Sequence, residues 1–276
     1  MRTKSSFLQR HSLLTYFLLA YGITWGGILL FLAFIGFEFS AIQMQEGLII
    51  FSLMILGPSL SGLILTAGLD GRQGLGELWQ RMIRWQVGGR WYLVALLTNP
   101  VLLLVILIFL SIMVSPDFAP GFQVIGVFIG LIAGYFEEIG WTGFATPRLL
   151  NKHSPLKAGL ILGLLWALWH ILADYSGNIS AMGDNWPVWF ISYWILPLTA
   201  YRILMTWVYS NTRSVLLAQL MHASYTGWQY AFSPGASFSQ NLVWQGLFAA
   251  GLWALVGLVA LSERRKASGL REIGRG

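Results

Sequence analysis

Long runs of apolar residues, separated by short polar segments, recur along this chain. A helix that crosses the hydrocarbon core of a bilayer needs about 20 mostly apolar residues. Eight runs approach or exceed that length: 13–37, 47–69, 91–114, 121–144, 156–174, 187–209, 213–232 and 241–261. The pattern therefore predicts an all-α polytopic membrane protein with eight transmembrane helices, in a single integral-membrane domain over residues 1–276.

The composition supports the same class of protein. Hydrophobic residues make up 56% of the chain and charged residues 10%, and the mean hydropathy is +0.66. Soluble domains carry roughly a quarter charged residues, so a disordered chain, a nucleic-acid-binding domain and an ordinary cytosolic enzyme are excluded. No cysteine is present, which excludes disulfides, thiolate nucleophiles and cysteine-bound metals. Membrane lipid is the expected surrounding, and no nucleic-acid partner is expected.

The basic residues predict the orientation of the chain in the membrane. Of the 17 Lys and Arg residues, all but Arg202 lie at the N terminus, in every second connection between spans, or in the C-terminal tail. The charged residues of the other connections are acidic: Glu38, Glu46, Asp117, Asp174 and Asp184. Because Lys and Arg are enriched in cytoplasmic loops, both termini are expected in the cytoplasm.

Residues 75–86 show a different pattern, with apolar side chains at helical spacing and charged ones opposite. The apolar positions are Leu75, Leu78, Trp79, Met82 and Ile83. This is typical of an amphipathic helix lying in the membrane interface. We expect a connector on the membrane surface, with a lipid-binding regulatory role as the alternative.

A few ionisable residues fall within the predicted spans, where each costs roughly 2.5–3.5 kcal/mol at the bilayer centre and therefore indicates a function. They are Glu137, Glu138, His170, Arg202 and His222. Two adjacent carboxylates in an apolar helix suit a general base, with a helix end that lies in water as the less favoured alternative. The histidines suit either an active site or interhelical hydrogen bonds. For Arg202 we expect its guanidinium to reach the interface, with an ion pair to the glutamates as the alternative.

Small residues precede these polar residues at helical spacing. The rows are Gly126, Gly130, Gly134 and Glu138; Gly159, Gly163, Ala167 and His170; and Ala218, His222 and Thr226. Small residues at such spacing let membrane helices approach closely. The polar groups are therefore predicted to point into the bundle rather than at lipid.

Three segments of the chain resemble the motifs of the CPBP intramembrane proteases, which include CAAX prenyl endopeptidases and bacteriocin-immunity (Abi-type) relatives. Glu-Glu-Ile-Gly-Trp-Thr-Gly-Phe, from Glu137 to Phe144, resembles the first motif. Trp-Ala-Leu-Trp-His, ending at His170, is similar to the second, and His-Ala-Ser-Tyr-Thr, from His222 to Thr226, to the third. The resemblance places a catalytic core in residues 121–232 and implies an integral protein of a bacterial or archaeal cell membrane. It also implies a membrane-associated peptide or protein substrate.

The resemblance implies hydrolysis of a peptide bond in a cavity open to the cytoplasmic leaflet. Glu137 would activate a water molecule that His170 positions, His222 and Thr226 would stabilise the oxyanion, and Glu138 would support them or accept a proton. A catalytic zinc ion bound by Glu137, His170 and His222 is an equally open version.

Two departures from the family pattern argue against efficient turnover. The family usually has Arg at the position of Thr142 and Asn at that of Thr226. The first removes a cation expected to hold the glutamates, and the second replaces an amide donor and acceptor with one hydroxyl. The alternative function is thus a catalytically silent membrane scaffold or immunity protein. A proton-coupled transporter using the glutamates is less well supported, because the two halves show no inverted repeat.

Overall fold

The computed structural model describes residues 7–37, 39 and 42–273, which are mostly helical and contain no strand, and the side chains of residues 8–37, 39 and 42–265. Outside the described residues lie Arg2, Lys4, Glu38 and Arg275, and outside the described side chains lie those of Lys266 and Arg271. The α-helices are α1 (Phe7–Arg10), α2 (Ser12–Phe34), α3 (Met44–Met82), α4 (Gly89–Met113), α5 (Val124–Gly140), α6 (Thr146–Leu150), α7 (Pro155–Trp169), α8 (Ile171–Met182), α9 (Trp186–Phe190), α10 (Leu196–Thr212), α11 (Val215–Ala231) and α12 (Phe238–Ile273). Five-residue π-helical turns, Trp141–Ala145 and Ile191–Ile195, join α5 to α6 and α9 to α10.

Several helical segments, some of them made of consecutive helices, are long and apolar enough to cross a bilayer. Within the described residues, six segments meet both conditions: Ser12–Phe34, Met44–Met82, Gly89–Met113, Val124–Leu150, Ile171–Thr212 and Phe238–Arg265. The apolar helix α7 is shorter, with 15 residues, and α11 has 17. The prediction of an all-α polytopic membrane protein is confirmed. The count of eight spans and the cytoplasmic location of both termini stay predictions.

The predicted interfacial helix is the last part of α3. At Gly71 the backbone turns out of the helical region, with φ +64° and ψ −155°, which a residue without a side chain adopts most readily. The helix after this kink ends at Met82 instead of residue 86. Leu78 and Met82 are buried against the bundle, whereas Trp79 stays exposed, so only part of the predicted apolar face is left for lipid.

Antiparallel packing places the connections at two ends of the bundle. Backbone contacts join Gly126 to Ala231 and Gly134 to Gln219, so α5 and α11 run in opposite directions. The basic end holds the connections 83–88, 151–154 and 213–214, and the acidic end holds 114–123, 183–185 and 232–237. The separation of charges that the sequence predicts is thus a separation in space.

The close approach of α5 and α11 explains the glycines of α5. A Cβ atom on Gly134 would lie 2.5 Å from the carbonyl oxygen of Gln219, and one on Gly126 would lie 2.7 Å from the backbone nitrogen of Ala231. Distances this short allow no side chain. The glycine row therefore fixes α5 against α11, and with it the carboxylates of α5 against His222.

Candidate active site

A cavity of about 270 Å³ lies in the half of the bundle nearer the acidic end. Its walls include Glu137 of α5, His170 between α7 and α8, and His222 and Thr226 of α11. The fold thus brings four of the five predicted site residues, from three different predicted spans, to one cavity. The fifth, Glu138, is fully buried and does not line the cavity.

Two tryptophan side chains hold the carboxylate of Glu137, which is only 4% exposed. The indole Nε1 of Trp141 donates to Glu137 Oε2 at 3.1 Å, and that of Trp166 donates to the same atom at 3.0 Å. Trp141 begins the π-helical turn after α5, a feature that is frequent at functional sites. Because both donors end on Oε2, Oε1 is the oxygen left to contact a ligand.

Glu138 lies in a buried ion pair with Arg202 of α10. Nη1 and Nη2 of Arg202 each donate to one carboxylate oxygen at 2.8 Å, and both side chains are 0% exposed. The hydroxyl of Thr142 donates to Oε2 as well. The guanidinium also lies over the ring of Trp166, 3.8 Å from its centroid. The expectation that Arg202 reaches the interface is wrong, because the buried carboxylate binds it inside the bundle.

The ion pair between Glu138 and Arg202 explains why no arginine is needed at the position of Thr142. Without an arginine at position 142, the sequence predicted that the glutamates lack a cation. Arg202 supplies that cation to Glu138 from another helix, and its Nη1 lies 3.5 Å from the hydroxyl oxygen of Thr142. The short threonine side chain therefore occupies the space beside a guanidinium that arrives from α10.

Both histidines have their Nδ1 atoms occupied. Nδ1 of His222 lies 2.7 Å from Glu138 Oε1, and Nδ1 of His170 lies 2.8 Å from the backbone carbonyl oxygen of Trp166. Since both oxygens accept, each Nδ1 carries a hydrogen, and in a neutral ring the lone pair then sits on Nε2. The ring of His170 stacks on that of Trp194 at 3.9 Å between centroids, which fixes its plane.

Asp174 is a site residue that the sequence did not indicate. It was expected in a polar connection but is 7% exposed on the cavity wall, one helical turn beyond His170. Its carboxylate accepts hydrogen bonds from four neutral donors: the indoles of Trp186, Trp189 and Trp194 and the amide of Asn178. Indole N–H groups thus bind both carboxylates of the cavity wall, those of Glu137 and Asp174.

The exposed lining residues show where the cavity opens. Gly177 and Tyr230 are exposed, and Gly47 is half-buried, all near the acidic end. Arg81 and Arg213 lie at the opposite end. We expected the basic loops to be cytoplasmic and the cavity to open to the cytoplasmic leaflet. The cavity opens at the end of the bundle opposite the basic loops, so the two expectations cannot both be correct.

The residues proposed as metal ligands do not form a metal site in this geometry. Among the described residues, no three His, Cys, Asp or Glu side chains lie close enough together to hold one ion. The set of Glu137, His170 and His222 therefore does not fit a zinc ion.

Residues 119–228 match the family model described as type II CAAX prenyl endopeptidase, Rce1-like. This segment contains every residue of the cavity chemistry described above, including Arg202 and Asp174. The match covers 110 of the 276 residues of the chain, and over this segment the chain is similar to that family. The resemblance drawn from the three motifs is confirmed.

A curated protein gives a second comparison. The protein named CAAX prenyl protease 2 of Methanococcus maripaludis is 32% identical over 110 residues. The match covers 39% of this chain and 39% of the relative. The similarity thus covers about two fifths of either protein, and the predicted catalytic core of 121–232 stays a prediction.

Some contacts within residues 119–228 could be expected from the sequence, and others could not. Trp141 follows Glu137 by four residues and Trp166 precedes His170 by four, so helical spacing alone puts each near its partner. Arg202 is 64 residues from Glu138, and no local pattern joins them.

Proposed function

We propose that the chain is an intramembrane endopeptidase in which Glu137 activates a water molecule. The observation that supports it best is that Glu137, His170, His222 and Thr226 line one cavity, with Oε1 of Glu137 left without an indole donor. The substrate would be a membrane-associated peptide or protein, and the location the cell membrane of a bacterium or archaeon.

The acceptors of the cavity suit a water molecule that is about to attack. A water molecule has two hydrogens, and Oε1 of Glu137 and Nε2 of His170 are the two acceptors for them. With both hydrogens held, a lone pair of the water oxygen is free to point at the substrate carbonyl. As the oxygen attacks, Glu137 takes one proton, and it then gives that proton to the leaving amine.

His222 and Thr226 would stabilise the negative charge that develops on the carbonyl oxygen. Thr226 offers its hydroxyl hydrogen. Because Nδ1 of His222 already donates to Glu138, donation from Nε2 requires the doubly protonated ring. Glu138 would neutralise that imidazolium, and Arg202 would keep Glu138 ionised and in place. No step of this mechanism passes through a metal, so we expect hydrolysis to survive chelators.

The test uses the purified chain in lipid nanodiscs with internally quenched peptides, each made with and without an S-farnesyl cysteine. Glu137→Gln and His170→Ala are expected to lower kcat at least about 100-fold, the low end for loss of a general base. Glu77→Gln, which neutralises an exposed carboxylate at the basic end, is the matched control and should keep full rate.

Three outcomes contradict the proposal or its metal-free mechanism. If both variants cleave as fast as the unchanged chain, the cleavage has another source. If no peptide is cleaved while a cellular phenotype survives both substitutions, the scaffold or immunity function takes its place. Loss of activity with 1,10-phenanthroline, restored by zinc, would contradict the metal-free mechanism.

A further inference from the structure

The cavity carries a buried carboxylate that the proposed hydrolysis does not use. Asp174 lies on its wall, one turn of helix beyond His170 toward the acidic end. The rise of a helix is about 1.5 Å per residue, which puts Asp174 roughly 6 Å from His170 along the axis. A buried ionisable residue within a candidate membrane span, here Ile171–Thr212, is costly and is a mark of a substrate or ion pathway.

The hydrogen bonds of Asp174 indicate that it is ionised. Its four partners are all donors, at 2.7–3.4 Å: three indole N–H groups and one amide. A carboxylate accepts at about four lone-pair positions, whereas a protonated carboxyl brings a hydrogen of its own. Four donors therefore complement the charged form.

No cation neutralises this charge within the described part of the chain. Neither Lys nor Arg lines the cavity, and no ion pair includes Asp174. The guanidinium of Arg202 is already paired with Glu138, so no Lys or Arg among the described residues is left for the two carboxylates that line the cavity, those of Glu137 and Asp174.

The wall around Asp174 also suits a cation. Trp194 and Tyr230 line the cavity at this level, and aromatic faces attract positive groups. The rest of the wall is largely apolar and includes Ile50, Met54 and Ile129. A segment with apolar side chains and one positive group complements this surface.

We propose that Asp174 forms a subsite for a cationic group of the substrate, one or two residues from the bond that is cleaved. The spacing follows from an extended peptide, which advances about 3.3–3.6 Å per residue, against the roughly 6 Å between Asp174 and His170. This inference rests on the proposed hydrolysis, since it names the substrate preference of the same cavity. The positive group is a Lys or Arg side chain within the substrate, or a free N-terminal amine.

The first test compares matched quenched peptides that carry lysine, neutral norleucine or glutamate at the first and second positions on each side of the scissile bond. At one of these positions, kcat/KM should fall from lysine to norleucine by about tenfold, which is about 1.4 kcal/mol, and fall further to glutamate. N-terminally acetylated and free versions separate a side-chain cation from the terminal amine. Equal rates for the three side chains and for both termini would overturn the subsite.

The second test assigns the preference to Asp174. In Asp174→Asn the ratio of lysine to norleucine kcat/KM should fall to near one, whereas Asp184→Asn should leave it unchanged. Asp184 is the matched control because it is an exposed carboxylate at the same end, outside the cavity. An unchanged ratio in Asp174→Asn would show that the carboxylate only anchors the indoles. Should Asp174→Asn fail to fold, the peptide series on the unchanged chain still decides.

Failure of the subsite and failure of the hydrolysis can be told apart by binding. Glu137→Gln, in which the proposed general base is removed, should bind the lysine peptide about tenfold more tightly than the norleucine peptide, as measured by fluorescence anisotropy in nanodiscs. Selective binding without any cleavage by the unchanged chain would contradict the hydrolysis and keep the subsite. Cleavage without selective binding or selective rates would contradict the subsite and keep the hydrolysis.

Discussion

Arg202→Met tests the buried ion pair that supports the site. The substitution keeps an apolar stem of similar length but removes both Nη donors to Glu138, each of which bonds at 2.8 Å. Glu138 then keeps only the Thr142 hydroxyl and His222 as partners. A hydrogen bond to a charged group contributes about 1.5–3 kcal/mol, so two give roughly 3–6 kcal/mol. This agrees with the loss of about 3–5 kcal/mol expected when one partner of a buried pair is removed.

The assay is equilibrium unfolding in mixed micelles of dodecyl maltoside and dodecyl sulfate, with Glu138→Gln and the double variant measured beside Arg202→Met. Because the double variant leaves neither charge unpaired, it should be more stable than the sum of the single losses predicts. Additive losses within about 0.5 kcal/mol, the limit for independent sites, would refute the pairing.

Thr142→Arg should have opposite effects on stability in the presence and in the absence of Arg202. Beside Arg202 a second guanidinium crowds the site, since Nη1 of Arg202 already lies 3.5 Å from the Thr142 hydroxyl, so Thr142→Arg alone should destabilise. In the Arg202→Met background the same substitution returns a cation to Glu138 and should restore stability and peptidase rate together. Destabilisation in both backgrounds would show that position 142 cannot replace Arg202.

Three further predictions follow from the packing and the cavity. Gly130→Ala should lower the free energy of unfolding by about 1–3 kcal/mol through overpacking, because its Cβ would lie 2.5 Å from the backbone nitrogen of Gly227. The control is Gly22→Ala, whose Cβ meets open space and which should be neutral. Equal effects in the same unfolding assay would contradict the close approach of α5 and α11. Trp166→Phe should lower kcat roughly tenfold through loss of one hydrogen bond to the Glu137 carboxylate. The control Trp253→Phe loses an indole hydrogen bond to the carbonyl oxygen of Leu196, outside the cavity, and should keep its kcat. Similar rates in both variants would show that the bond from Trp166 to Glu137 does not assist catalysis. Because the chain has no cysteine, a single introduced cysteine can report the orientation. If the basic loops are cytoplasmic, a membrane-impermeant maleimide added to intact cells should label Gly177→Cys at the cavity mouth and not Asn151→Cys at the basic end. Labelling of Asn151→Cys alone would place the cavity mouth in the cytoplasm.

The sequence by itself determined the membrane class and most residues of the candidate site. Apolar length fixes a spanning helix because no backbone group can be left unpaired in lipid. The two histidines and Thr226 were predicted to point into the bundle because they follow small residues at helical spacing, and that spacing is a local property. Glu137 and Glu138 were found for the same kind of reason, since charge inside an apolar helix is visible without any partner.

The tertiary structure decided which of these groups meet and what surrounds them. Arg202 was expected at the interface, but the rotation of α10 against α5 puts it on Glu138, and no local pattern encodes that rotation. Asp174 was assigned to one of the connections that hold acidic residues and no Lys or Arg. Its burial depends on three indoles up to 20 residues away. The direction in which the cavity opens likewise depends on how helices from the whole chain pack, because it is set by the space that their side chains leave between them.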